Sequence, residues 1–380
     1  MPRVRPQRFF AEQSALSRVK ANIVFKFVVA WMGVFLGGEQ NRLTDEVAYV
    51  DLFSGPGTYE DNSRSTPLLI VEAAIRKPKF ADGIRFYFND KEKALIQSLE
   101  QEIRALPGMG NLKSGPVYKQ EPASISLINS FGVRNDIPQF FFLDQFGWAD
   151  VMPPMIAHIF KARRCDAVFF IRTNRTIAAV TNKRAEEAMI RLIGKDRLEG
   201  LRREFRKPYA QKEKLLLDAL KQVCSECGAP YFQAFPFRIF HRDGSKHHLI
   251  YLGKHEKGLS IMKEIMGSSS SMEQSGVPVM GYAEVAITPS LFEPDPHAEL
   301  EQELLRVFAG NRLTVASIYS QHHPTSERFF LRHYQEALRR LEARHAVSTH
   351  PVAAERPDRN GVVTMGENVE IDFPVIERKV

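Results

Sequence analysis

The sequence predicts an α/β protein: a Rossmann-like, doubly wound and mostly parallel sheet, followed by a C-terminal winged helix-turn-helix. Three observations carry that expectation. Short apolar runs rich in β-branched and aromatic residues alternate with helical stretches from about residue 46 onward, the rhythm of βαβ units. A glycine-bearing turn, Asp51-Leu-Phe-Ser-Gly-Pro-Gly57, directly follows the first of these runs. Beyond a proline-containing stretch at residues 287–297 the pattern changes to three helices and a hairpin. The expected divisions are a helical segment over 1–45 packing on the core, a Rossmann-like domain over 46–288 and a winged helix over 297–380.

The chain opens on a helix. Residues 25–38 (FKFVVAWMGVFLGG) are apolar, but Lys26 interrupts them, and about 18 unbroken apolar residues are needed to cross a bilayer. No small-residue cleavage site follows. A buried amphipathic helix ended by Gly37 and Gly38 is expected, with no membrane association. Strands are expected at 47–53, 84–89, 115–119, 140–143 and 167–171. Helices are expected at 66–75, 91–106, 123–131 and 153–162. The runs FFFL and AVFFI in the fourth and fifth strands suit strands buried on both faces.

Residues 184–214 are helical and rich in both charges, and strands at 231–240 and 247–253 flank an Arg242-Asp243-Gly244 turn. A helix at 258–266 leads into GSSSSMEQSGVP at 267–278, expected to be a flexible surface loop. The tail reads as helices at 298–309, 313–321 and 327–345, then a hairpin built from 346–349, 362–364 and 369–373.

The net charge of +7 tilts the partner expectation toward nucleic acid or another polyanion. Three cysteines cannot build a disulfide framework, which points to a reducing cytoplasm. Cys224 and Cys227 have zinc-ligand spacing, but no second pair accompanies them, so no metal is expected. Cys165 is expected in the core.

The glycine turn is the sharpest local feature. Gly55 and Gly57 permit positive φ and close approach of backbone N–H groups to a ligand. Position 60 is Glu, so the dinucleotide pattern G-x-G-x-x-G is incomplete and a nicotinamide cofactor is disfavoured. The bland alternative is a tight strand-to-helix turn. Asp51, Phe53, Ser54, Gly55 and Gly57 are the expected cofactor-binding residues of the loop. Asn89 and Asp90 end the next strand, where a carboxylate can accept both hydroxyls of a ribose. Glu121 follows the third strand, where an adenine amino group would be met. The fourth strand ends in Leu143-Asp-Gln-Phe-Gly-Trp148. Asp144 and Gln145 are placed to orient an attacking amine, and Phe146 or Trp148 to stack on a flat acceptor. The alternative there is a helix cap with aromatic residues filling core.

These segments resemble the three-Cys-motif partner proteins. The resemblance rests on Tyr49-Val-Asp-Leu-Phe-Ser-Gly-Pro-Gly57 with Pro67-Leu68 downstream, the strand ending at Asp90, Asp144-Gln-Phe-Gly147, and a helix from Lys20 to Trp31 with a late tryptophan. It spans roughly residues 15–265. It implies a class I methyltransferase-like Rossmann fold, S-adenosylmethionine as cofactor, and a separate cysteine-motif protein as partner. The family usually carries Asp-Pro-Phe-Gly at the fourth strand and Asp after the third. Here Gln145 and Glu121 stand in those places.

In the tail, Leu331, Tyr334, Leu338 and Leu341 recur at helical spacing and are expected to pack inward. Arg328, Arg332, Arg339 and Arg340 then fall on the outer face of a recognition helix, where they could meet phosphates. The resulting expectation is an S-adenosylmethionine-dependent methyltransferase acting on a nucleic-acid amine. The alternative is a non-catalytic nucleic-acid-binding or partner-binding protein that retains the fold.

Overall fold

The strands that read as unbroken apolar runs are the ones buried deepest in the molecule. The computed structural model describes residues 15–38, 43–144, 153–238, 246–274, 277–283, 295–326, 328–359 and 361–375. It divides into two units, Met1–Ile265 and Met266–Val380. In the first unit β1 (Val47–Asp51), β4 (Gln139–Leu143) and β5 (Cys165–Ile171) are buried along their whole length. Water is excluded from both faces of these strands, so no alternation of polar residues is tolerated. β2 (Ile84–Asn89) lies beside β1 and half-exposes alternate residues. β3 (Val117–Lys119) is short and more open.

β1 pairs in parallel with both β2 and β4, β2 with β3, and β4 with β5. A hairpin of β6 (Tyr231–Arg238) and β7 (Lys246–Gly253) then joins β5 antiparallel through β7. The first unit thus contributes seven strands in the order 3-2-1-4-5-7-6. The chain builds outward from β1 to β3, then returns to place β4 on the other side of β1. That reversal opens a crevice at the carboxyl ends of β1 and β4, where open α/β sheets take ligands.

Two faces of helices cover the sheet. Val50, Phe141, Leu143, Phe169 and Ile171 point into a core shared with α5 (Ile125–Ser130), α6 (Pro153–Ile159), α7 (Thr173–Thr181), α8 (Glu186–Ile193), α9 (Lys195–Glu204) and α10 (Lys212–Glu226). Tyr49, Phe86, Phe88 and Phe140 pack ring on ring on the other face, Tyr49 stacking on Phe140 at 5.8 Å. There α1 (Ala15–Leu36) lays Phe27 against Phe140 and Tyr251. Its Trp31 Nε1 donates to Asp166 Oδ2 at 2.9 Å. α2 (Thr66–Ile75), α3 (Pro78–Gly83) and α4 (Lys93–Arg104) complete the crossovers among β1, β2 and β3. α11 (Glu256–Ser268) runs across the division between the units.

α1 is longer than the apolar run suggested and is apolar enough over 18 residues to cross a membrane by length and composition. Nine of its residues are nevertheless buried, Lys20 among them, while Lys26 is exposed. Its buried stripe makes it a core helix of the first unit. The stretch from 184 to 214 is helical as expected, divided where Gly194, at φ +84, breaks α8 from α9, with α10 beginning at Lys212.

The second unit corrects three expectations. Residues 267–278, expected to be a loop, include β8 (Met272–Gln274), paired antiparallel with β9 (Val277–Val279); β10 (Tyr282–Ala283) follows. After α12 (Pro296–Val307), β11 (Arg312–Thr314) takes the first residues of the expected second helix. α13 (Val315–His322) begins only where the Thr314 hydroxyl accepts from Ser317 N–H at 3.1 Å, a helix cap. α14 (Leu331–Ala343) starts four residues later than expected, so Arg328 precedes it. β15 (Glu370–Asp372) lies between β11 and β12 (Ser348–His350), and β13 (Asp358–Arg359) pairs with β14 (Val362–Val363). Leu300, Leu304, Ile318, Tyr334, Leu338, Leu341 and Ile371 form its core. Most of residues 287–297 lie outside the described residues.

Candidate functional site

The loop after β1 is held from below. Asp51 is fully buried; its Oδ1 accepts from Phe53 N–H at 3.0 Å and its Oδ2 from the Tyr49 hydroxyl at 3.3 Å. Ser54 Oγ donates to the Asp51 carbonyl and accepts from Asn89 N–H, while Ser54 N–H donates to the Asn89 carbonyl. Gly55, at φ +68, turns its N–H to Asp90 Oδ2 at 3.1 Å. Gly57 sits at φ +90, and a Cβ there would lie 3.3 Å from Leu99 Cα. The missing side chain at 57 lets the turn pack closely against α4.

Asn89 and Asp90 divide the expected cofactor role unequally. Asn89 Nδ2 donates to the carbonyls of Leu52 and Glu121, and its Oδ1 accepts from Glu121 N–H. Its amide is spent tying three loops together. Asp90 accepts from Gly55 and Glu92 N–H, one bond per oxygen, which leaves lone pairs available on both. The Glu121 side chain is exposed beside it in sequence register. Phe53 is half-buried against the core.

Burial sets the charges here. Desolvation pushes the Asp51 carboxyl up to about 8, against the pull of the Phe53 N–H and helped by the negative charge of Asp144. Burial thus favours the neutral form of the Asp51 carboxyl. Asp90 is also raised by burial, with the N–H groups of Glu92 and Gly55 opposing. The Tyr59 phenol is raised by burial and then by the charges of Asp144, Asp61 and Asp51.

Asp144 follows β4 directly and is joined by a residue the sequence reading missed. Lys20 on α1 forms an ion pair with Asp144 Oδ2 although the lysine is only 9% exposed. Its Nζ lies 4.8 Å from the centroid of the Phe170 ring, and that ring stacks on His247 at 5.3 Å. The signal was present: Lys20 stands four residues before Val24 and seven before Phe27, on the buried stripe of an apolar helix. A charge on such a stripe needs a partner. Arg172, just past β5, is half-buried and forms no hydrogen bond to a side chain and no ion pair among the described residues. Its guanidinium is lowered by burial and by Arg175, with Asp144 acting the other way. Gln145, Phe146 and Trp148 lie outside the described residues.

The arginines of the second unit do not form an open row of charge. Arg328 pairs with Glu299 at 2.8 Å, Arg339 with Glu336, and Arg340 with Asp295 at 2.7 Å and Glu301 at 3.2 Å. Arg332 alone of the four has no acidic partner among the described residues; it lies over the Phe330 ring at 4.5 Å. Cys165 and Cys224 are buried thiols, and the described residues contain no group of three or more metal-binding side chains.

No protein-family model matches the chain, and no curated protein matches it. Among solved structures it is similar to the methyltransferase domain of bacterial CtHen1-C, at 10% identity and a TM-score of 0.30, covering 62% of this chain and 98% of that one. It is also similar to a SAM-dependent methyltransferase from Methanosarcina mazei, at 13% identity and a TM-score of 0.29, covering 56% and 95%. A third is a human methyltransferase 10 domain containing protein, at 9% identity and a TM-score of 0.27, covering 67% and 85%.

Proposed function

We propose that the first unit is a class I methyltransferase-like domain that binds S-adenosylmethionine and transfers its methyl group. The observation that carries this reading is Asp90, which follows β2 and holds the left-handed glycine turn after β1 with lone pairs to spare. The antiparallel β7 between β5 and β6 separates the sheet from the all-parallel dinucleotide order, which agrees with the incomplete glycine pattern. The residues fit the cofactor. Asp90 would accept the ribose hydroxyls, Glu121 would meet the adenine edge, and the turn at Ser54 and Gly55 would face the amino-acid end. Asp51, Asn89 and Gly57 support that surface from behind. Bound there, the cofactor supplies an electrophilic methyl group, and the protein's part is mainly to position the acceptor.

The resemblance to three-Cys-motif partner proteins supports the same reading of the first unit. The elements of the second unit, three helices with a three-stranded antiparallel sheet, support the winged helix expected for the tail. A nucleic-acid amine as acceptor has less behind it: Asp144 is already engaged by Lys20, and three of the four tail arginines are engaged by carboxylates. Calorimetric titration of the full chain with S-adenosylhomocysteine tests the proposal. One-to-one binding that weakens at least tenfold in Asp90→Ala is expected. Absence of binding by the pure wild-type protein would overturn it.

A further inference from the structure

We infer that the acceptor taken by this site is a carboxylate, held by Lys20 and Arg172, and that the product is a methyl ester. The inference rests on the methyl-transfer reading above and adds the class of its substrate. Three charged groups stand on the acceptor side of the crevice. Asp144 directly follows β4, Lys20 reaches it from α1, and Arg172 directly follows the neighbouring strand β5. The register Leu143↔Phe169 sets Asp144 beside Phe170, the ring over which the Lys20 ammonium lies. Arg172 follows two residues on.

The count of charge decides what fits. Lys20 and Asp144 cancel, burial favours the neutral form of Asp51, and Arg172 is half-buried with no ion pair among the described residues. A net positive site that is partly out of water favours an anion. An acceptor in ammonium form would be repelled by the Arg172 guanidinium. A neutral amine would also have to surrender a proton after attack, and the Asp144 carboxylate that could take it is already paired with an ammonium. A carboxylate needs no base. One of its oxygens can face the Lys20 ammonium while the planar Arg172 guanidinium, with no hydrogen bond to a side chain among the described residues, takes the other. The step then balances without proton transfer. The acceptor oxygen forms a bond to the methyl carbon, and the carbon–sulfur bond breaks with its electron pair going to sulfur. The negative carboxylate and the positive sulfonium become a neutral ester and a neutral thioether.

The test uses two probes that share a phenyl ring and differ in charge. Full-length protein saturated with S-adenosylhomocysteine is titrated with benzoate and, separately, with benzylamine, and binding is followed by NMR of the protein. Benzoate is expected to bind and benzylamine not to. Benzoate affinity should fall about tenfold or more in Arg172→Gln, a change that removes no side-chain hydrogen bond or ion pair among the described residues, and in Lys20→Met, with S-adenosylhomocysteine affinity within twofold of wild type in Arg172→Gln. Should Lys20→Met not fold, the arginine variant decides alone. Preference for benzylamine, or benzoate binding indifferent to Arg172→Gln while S-adenosylhomocysteine still binds, overturns the carboxylate assignment and leaves the methyltransferase reading standing. Failure of S-adenosylhomocysteine to bind the wild type overturns both.

Discussion

A carboxyl group sealed from water must either be compensated or stay protonated, and Asp51 shows which side wins. Its two hydrogen bonds do not offset complete burial, so its folded-state value of about 8 stands well above the roughly 3.9 of an unfolded chain. For an acid raised on folding, the native state holds the proton more tightly. The stability it contributes is fully present below about pH 4 and is lost as pH climbs through about 8. Asp51→Asn should remove that slope, which can reach about 1.4 kcal/mol per pH unit. Urea denaturation at pH 5 and pH 8 reads it directly: the variant should lose less stability between the two than the wild type. Equal losses would mean that the carboxyl is ionised in the folded protein. Which end-of-strand residue serves the ligand and which serves the scaffold was not legible in sequence. Asn89 and Asp90 are adjacent and polar, and only the bonds to Leu52 and Glu121 reveal that the first is a staple.

Elements were most legible where burial leaves least choice. β1, β4 and β5 announce themselves as apolar runs because both faces are covered, whereas β8 and β9 could not be read in a serine-rich stretch, where no apolar alternation marks a strand. The onset of α14 was misread because Phe329 and Phe330 extend its apolar spacing backward although they precede the helix. Packing between elements gives two predictions. Gly57→Ala forces a β-carbon onto a backbone at φ +90 and against Leu99, which should cost about 1–2 kcal/mol of stability. S-adenosylhomocysteine affinity should be largely kept, because the crowding is against α4. A variant of wild-type stability that had lost binding would return Gly57 to the ligand surface. Trp31→Phe keeps the ring of α1 on the sheet but removes the donor to Asp166, a buried carboxyl then left, among the described residues, with Tyr251 at 2.5 Å. A loss of about 1–3 kcal/mol is expected in chemical denaturation, and no loss would mean that the Trp31 hydrogen bond contributes nothing to anchoring α1.

Across the whole molecule, a net charge of +7 suggested a polyanion partner, but net charge says nothing about how many cations are already engaged. In the second unit Glu301 is 1% exposed and receives both Arg340 and Arg344, so these arginines lock α14 to α12. Arg340→Ala strips one of two cations from a buried carboxylate. Because the arginine itself is partly exposed, about 1–2 kcal/mol of destabilisation is expected rather than the full cost of a buried pair. If duplex DNA binds this unit, each phosphate contact contributes about 0.9 to the slope of log affinity against log salt. Arg332→Ala should then flatten the slope by about 0.9, since its guanidinium lies over Phe330 with no acidic partner among the described residues. The pair Arg339→Ala and Arg340→Ala should lower the melting temperature and leave the slope unchanged. A folded double variant whose slope drops by about 2 would show instead that both arginines exchange their carboxylates for phosphates on binding, and the row of cations read from the sequence would be a nucleic-acid surface after all.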